Sequence, residues 1–183
     1  MDPVVCSVRR ATTEDAAMIA RTYVSSWLTF YRGIGVDRYL DGLDIAVQTR
    51  RWREIIEDPR MYDVAMLVAE VDGVIAGFVG AGHSHDDDDD PEEVGEVGDL
   101  YIDPSRIASG IGEHLLGAAT QNLREAYLAA ATLWVIEGNS AARRFFERHG
   151  WHADGGSKRC DLSLGGTSIR YRTSLVRRRP PVS

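Results

Sequence analysis

With 183 residues and 44% hydrophobic content, the chain can bury one core and is short for two. Its net charge of −7 argues against a nucleic-acid groove, no apolar run reaches the length of a membrane span, and the N-terminal stretch lacks the apolar centre of a signal peptide. Cys6 and Cys160 stand far apart without C-x-x-C spacing, which supports neither a disulfide framework nor a zinc site and fits a reducing, cytoplasmic setting.

In chain order, VVCSVRR at residues 4–10 reads as a first strand. Thr12 or Thr13 then caps a helix whose first turn carries Glu14 and Asp15, where carboxylates suit the positive helix end. Ile19, Tyr23, Val24, Trp27, Phe30 and Tyr31 recur at helical spacing until Gly33. A second helical region covers 36–57 and stops before Pro59. Residues 64–82 predict a hairpin turning at Asp72-Gly73. The following HSHDDDDDPEE, residues 83–93, invites a metal hypothesis, but adjacent like charges repel, so a solvated and partly disordered connection is the expectation. EVGDLYID is the next strand, and a helix follows over 109–128 with Leu115, Ala119, Leu123 and Tyr127 on one apolar stripe. ATLWVI forms a strand, NSAARRFFERHG a short helix, and WHADG and SIRYRTSL the last two strands. The order is βααβββαβαββ, an α/β (α+β) chain.

The junction from Asp99 to Leu116 drives a strand through a proline and Gly110-Ile111-Gly112 straight into an amphipathic helix. A helix start presents unpaired N–H groups and a positive dipole, and two glycines let a ligand approach the main chain, so a phosphate or pyrophosphate suits the place. An ordinary tight turn is the competing reading. No G-x-x-x-x-G-K-[ST] is present, and Leu115 occupies the position where a dinucleotide fingerprint needs its third small residue.

These features together resemble the GNAT superfamily of acetyl-CoA-dependent N-acyltransferases over nearly the whole chain. The family's [RQ]-x-x-G-x-[GA] pyrophosphate loop resembles Ile107-Ala108-Ser109-Gly110-Ile111-Gly112, and its N-x-x-A-x-x-[FY]-Y-E-x-x-G-[FW] motif resembles Asn139 to Trp151, with Ala142, Phe145 and Phe146 inside. Trp27, Tyr31, Arg32 and Gly33 are similar to the first-helix ending of many bacterial members. Two departures stand out: Ile107 replaces the usual Arg or Gln, and Phe146 replaces the tyrosine that many relatives place near the CoA sulfur.

The resemblance implies a mixed, mostly antiparallel central sheet flanked by helices, in one domain over 1–176 with a basic, disordered tail at 177–183. It implies transfer of an acetyl group from acetyl-CoA to a primary amine of a small molecule; a peptide or protein N-terminus as acceptor, or a catalytically weak acyl-CoA-binding module, are the alternatives. An alkylamine of pKa near 10 must lose a proton before it attacks, so a carboxylate on the central strand is wanted. Glu96, at the offset from Ile107 where some relatives carry their base, is the first candidate and Asp99 the rival. Main-chain amides around Leu100, Tyr101 and Ile102, re-aimed by a bulge at Gly98, are expected to meet the pantetheine. Asn139 either holds that arm or caps its own helix. Trp27, Tyr31 and Tyr39 line the acceptor pocket in this view, or simply pack. The expected partner is a small-molecule amine, with no metal, nucleic acid or membrane, and with a homodimer left open.

Overall fold

The structure, a computed structural model, describes residues 6–33, 37–58, 60–159 and 166–176. Val4 and Val5 of the expected first strand, Cys160 and the basic tail at 177–183 lie outside the described residues. Strand β1 (Cys6–Arg10) leads through a 3-10 turn (Thr13–Asp15) into α1 (Ala16–Phe30), followed by α2 (Asp37–Leu40) and α3 (Ile45–Glu57). Then come β2 (Ala65–Val71), β3 (Val74–His83), β4 (Val94–Ile102), α4 (Ile111–Glu125), β5 (Ala130–Ile136), α5 (Ser140–Arg148), β6 (His152–Arg159) and β7 (Thr167–Ser174). The seven strands form one sheet in the order β1-β2-β3-β4-β5-β7-β6, and only β4 and β5 pair in parallel.

Local chemistry explains the boundaries. Asp15 accepts hydrogen bonds from the Thr12 amide (2.7 Å) and from Arg9 of β1 (2.7 and 2.9 Å), which ties the start of α1 to the first strand. Asp44 accepts from the Val47 amide at 2.8 Å and starts α3, so the expected second helical region is two helices. The β2–β3 hairpin turns through Asp72 and Gly73, both at positive φ (53° and 75°), as a two-residue turn requires.

Helix α4 ends three residues before the periodicity predicted. The amide of Leu128 bonds the Leu123 carbonyl and that of Tyr127 bonds Arg124, a left-handed helix stop with Tyr127 at φ 66°. Tyr127 is therefore 93% exposed instead of continuing the apolar stripe, and Leu128 takes the buried place.

Two hydrophobic layers sandwich the sheet. On one face α4 (Leu115, Leu116, Ala119, Leu123) and α5 (Phe146) pack on Leu67, Val79, Val97 and Leu133. On the other, α1 (Ile19, Tyr23, Trp27) and α3 (Trp52) pack on Val68 and Phe78. Beyond β4, Ile136 at the end of β5 still packs against this layer, and the acidic loop covers the same face at Trp134.

The loop differs from the expectation of a solvated, disordered connection. Asp88 accepts both terminal nitrogens of Arg170 (2.6 and 2.7 Å), Asp86 accepts from Arg170 (3.3 Å) and from the indole N–H of Trp134 (3.0 Å), and Asp89 pairs with Arg172. Lys158 stands 3.6 Å from Asp86 and over the Trp134 ring, while Asp154 accepts from both Arg170 and Arg172. Like-charge repulsion within the run is thus answered by cations that strand alternation puts on one face of β7. Among the described residues no group of three His, Cys, Asp or Glu side chains is arranged to hold a metal ion, and no helix is long and apolar enough to cross a membrane.

Candidate active site

β4 and β5 remain paired only over Val94–Ala130, Gly95–Ala131 and Glu96–Thr132, then separate. From Val97 to Ile102 the β5-facing backbone edge of β4 has no strand partner among the described residues, an arrangement that strands ordinarily avoid unless something completes it. A cavity of about 600 Å³ occupies the gap. Its walls are β4 (Val97, Asp99 to Ile102), β5 (Leu133 to Val135), the junction from Arg106 to Glu113 without Ser109, α5 with Asn139, and Ser26 and Phe30 of α1 with Tyr31 just after it. It therefore opens toward both faces of the sheet.

The β4 bulge shapes its centre. Phe78 pairs with Tyr101 and Gly80 with Gly98, so β4 spends one residue more than β3 over this stretch. Asp99 takes up the difference at φ 47°, a left-handed conformation uncommon outside glycine, though aspartate tolerates it better than most residues. The extra residue changes the alternation. Asp99 would lie opposite Glu96 in a regular strand, but here its carboxylate accepts a hydrogen bond from Tyr62, on the same face that Gly98 presents to that ring. Both carboxylates consequently border the face covered by α1 and α3.

Their surroundings differ. Burial pushes the Asp99 carboxyl above the ordinary carboxylate range, opposed by the Tyr62 hydroxyl and the Arg51 guanidinium. Burial, with Asp86 nearby, also raises Glu96, opposed by Lys158 and by His85, whose Nδ1 is 3.9 Å away. Asp99 lines the cavity; Glu96 stands outside its lining, toward the acidic loop.

At the other end, Gly110 precedes α4 at φ 81°, and a side chain there would meet only His114, at 3.9 Å. This open backbone at a helix start, flanked by Arg106 and Arg148 on the cavity wall, suits an anionic group. Gly112 serves packing: a Cβ there would come within 2.9 Å of Ile102 and 3.3 Å of Phe145. Its missing side chain lets α4 approach the sheet, and the residue itself lines the cavity.

Of the other residues singled out from the sequence, Leu100, Tyr101, Ile102, Ile107, Ala108, Ile111, Asn139, Ala142, Phe145, Phe146 and Tyr31 all line the cavity. Asn139 also caps α5, accepting from the Ala142 amide at 3.1 Å. Ser109 is exposed and donates to the Arg106 carbonyl. Trp27 is only 5% exposed and belongs to the core, stacked on Tyr31 at 4.3 Å between ring centres. Tyr39 is half-buried, its hydroxyl 2.7 Å from that of Tyr23, and neither it nor Trp27 is part of the cavity wall. Sequence reasoning missed Ser26, which donates to the Ile102 carbonyl (2.7 Å) at the strand edge, and Trp134, which lines the cavity while its indole bonds Asp86. The alternation of ATLWVI, with Leu133 and Val135 facing the core, would have pointed Trp134 to the opposite face.

Comparison with known proteins settles what this architecture is. A model of the acetyltransferase (GNAT) family matches residues 22–151, from α1 through the end of α5. The chain belongs to the GNAT acetyltransferase family. An uncharacterized N-acetyltransferase of Archaeoglobus fulgidus is 30% identical over 139 residues, covering 76% of this chain and 88% of the relative. Among solved structures, the PaiA N-acetyltransferase of Thermoplasma acidophilum, in complex with coenzyme A, superimposes with a TM-score of 0.70 at 20% identity, over 91% of this chain and 98% of that one. YncA of Salmonella typhimurium, solved with its cofactor acetyl-CoA, gives 0.70 at 18% identity, over 98% and 99%. The matched family segment holds every wall of the cavity, while β6 and β7, with the arginines that grip the acidic loop, lie beyond it.

Proposed function

We propose that this GNAT protein transfers an acetyl group from acetyl-CoA to a primary amine of a small molecule. The observation that carries the proposal is one cavity bordered by a helix start suited to phosphates, an unpartnered strand edge, and a carboxylate, in that order. A donor bound there supplies an acetyl thioester. The residues that would hold it are the backbone of Ile107, Ala108 and Gly110 at the α4 start, with Arg106 and Arg148 as cationic flanks, and the Val97 to Ile102 edge along its arm. The same edge offers amides that can polarise a carbonyl oxygen without any particular side chain.

On the acceptor side, Asp99 is the carboxylate at the cavity wall, and we assign proton removal to it in preference to Glu96. An ammonium group entering beside Asp99 passes one proton to the carboxylate, which leaves the nitrogen lone pair free to attack and the carboxyl neutral. Burial, which favours the protonated acid, makes that transfer easier than it would be in water. Tyr31 and Phe30 add aromatic surface near this end, suited to a cation. Phe146 carries no hydroxyl, so the chain supplies no proton from that position to a departing group.

Release of free thiol from acetyl-CoA, measured across a panel of small amines and peptides, tests this reading. Turnover with small amines supports it, and turnover with peptides alone moves the acceptor to a polypeptide N-terminus. Binding of acetyl-CoA without thiol release from any acceptor would reduce the protein to a binding module.

A further inference from the structure

Residues 61–64 connect α3 to β2 and contain no family motif, yet the sheet is cut to receive them. Tyr62 is 7% exposed and lies over β3 and β4. A Cβ at Gly80 would fall 2.5 Å from its ring, and one at Gly98, the register partner of Gly80 on β4, would fall 2.9 Å from the ring and 3.1 Å from the hydroxyl. Real side chains do not tolerate such approaches, so both strands must be glycine where the ring rests. Gly82, two residues along β3 on the same face, clears space for the neighbouring chain: a Cβ there would meet the Asp63 carboxylate and the Met61 carbonyl, each at 2.9 Å.

The segment is also fastened. Asp63 accepts from the His83 amide at 3.0 Å and sits 2.8 Å from its ring nitrogen, and the Val64 carbonyl accepts from Arg10 at 3.1 Å. What this mounting delivers is one phenol: the Tyr62 hydroxyl donates to Oδ2 of Asp99 at the bulge. A carboxylate with one oxygen held in this way has its other oxygen free to face the cavity, and its rotation about the side-chain bonds is stopped.

We infer that Tyr62 is the positioning residue for Asp99: its hydroxyl holds in place the carboxylate that receives the acceptor's proton. The inference rests on the assignment of proton removal to Asp99. Other groups also face that carboxylate or its partner: Arg51 from α3, Tyr23 from α1, and Tyr101 and Glu96 from β4. Only Tyr62 is hydrogen-bonded to it among the described residues. Arg51 acts through space and pulls in the same direction, whereas Glu96 bears on Tyr62.

The test is the pH profile of kcat/KM for Tyr62→Phe, which keeps the ring on its glycine floor and removes the hydroxyl alone. Asp99 must be ionised to accept a proton, so the rate falls as pH drops through its pKa. Loss of a donor to the ionised form raises that pKa, and the acid limb should move upward by about one pH unit, with roughly tenfold loss below the limb. The KM for acetyl-CoA should not change. Gly80→Ala, which keeps the hydroxyl but displaces the ring, should reproduce the shift; if that variant does not fold, Tyr62→Phe still decides. A role confined to packing would lower the melting temperature and leave the limb where it is in the wild type, and that result overturns the inference. Asp99→Asn separates the two levels. If it keeps wild-type kcat/KM, the assignment of Asp99 fails first and Tyr62 has nothing to position. If it is inactive while the Tyr62→Phe limb is unmoved, Asp99 stands and the positioning role of Tyr62 fails.

Discussion

Five consecutive aspartates are indistinguishable in the sequence, but the structure ranks them, and single substitutions to serine should expose the ranking. The Asp86 side chain is 13% exposed and accepts from Trp134 and Arg170 with Lys158 nearby, whereas Asp87 stands in solvent. Asp86→Ser removes two charge-assisted hydrogen bonds but leaves Arg170 with Asp88 and Asp154, while half-exposed Lys158 loses this carboxylate and keeps the Trp134 ring. Hydrogen bonds of this class contribute about 1.5–3 kcal/mol each, and serine recovers part of the bonding, which puts the loss at about 2–3 kcal/mol. For a chain of this size each kcal/mol moves Tm by about 2–4 °C, so Asp86→Ser should melt about 4–12 °C below the wild type. Asp87→Ser, a surface change worth at most about 0.5 kcal/mol, should stay within about 2 °C. Calorimetric melts at low and high salt are the assay. Screening should weaken the contribution of exposed Asp88 more than that of Asp86. Equal melting of the Asp86 and Asp87 variants would refute the view that the loop is held by its aspartates.

Acetyl-CoA at a hundred times its Kd should stabilise the wild type by about 2.7 kcal/mol, read as a higher Tm; NAD should not, and Gly110→Val should lose the effect while also carrying about 1–2 kcal/mol of strain from its positive φ. Gly112→Ala should instead cost about 1–3 kcal/mol of stability through Ile102 and Phe145, read as a lower Tm in the absence of acetyl-CoA. Asp99→Asn should melt above the wild type at pH 8 and lose that advantage toward pH 4. The sign follows from the direction of the shift: a carboxyl raised by burial is most easily accommodated while protonated, and its ionised form costs stability as pH climbs through the raised pKa.

The strand and helix order was readable because apolar period, Asp72-Gly73 and the capping residues agree with one another at each boundary. The cavity was readable where main-chain geometry makes it, at the Gly110 turn and the β4 edge. Four features were not. The partners of Asp86 lie 48 and 84 residues downstream, so a window on the loop sees only repulsion, although Arg170 and Arg172 alternating on one strand hinted at a charged face in need of cover. The bulge was anticipated at Gly98, but its effect on Asp99 depends on where the extra residue falls against β3, and a one-residue difference changes the face of the side chain. Tyr62 lies in a short connection without periodicity, and its glycine bed is split between two strands that become neighbours only in the folded sheet. Tyr127 failed for a local reason: a non-glycine residue adopted the left-handed stop that its own helical spacing argued against.

The three residue pairs shared by β4 and β5 make the sheet two plates stitched along a short seam, four strands on one side and three on the other. A cavity floored by a seam has a width set by the angle between the plates. The acidic loop leaves β3 and returns to β4, both in the first plate, while its aspartates grip Arg170 and Arg172 in the second. It is a strap across the seam, fastened by charge on the face away from α4, and it holds Trp134 at the cavity wall by the same carboxylate that reaches Arg170. The two plates are therefore tied across the cleft by ion pairs whose members border no part of it, and Trp134 is the one wall residue that they hold.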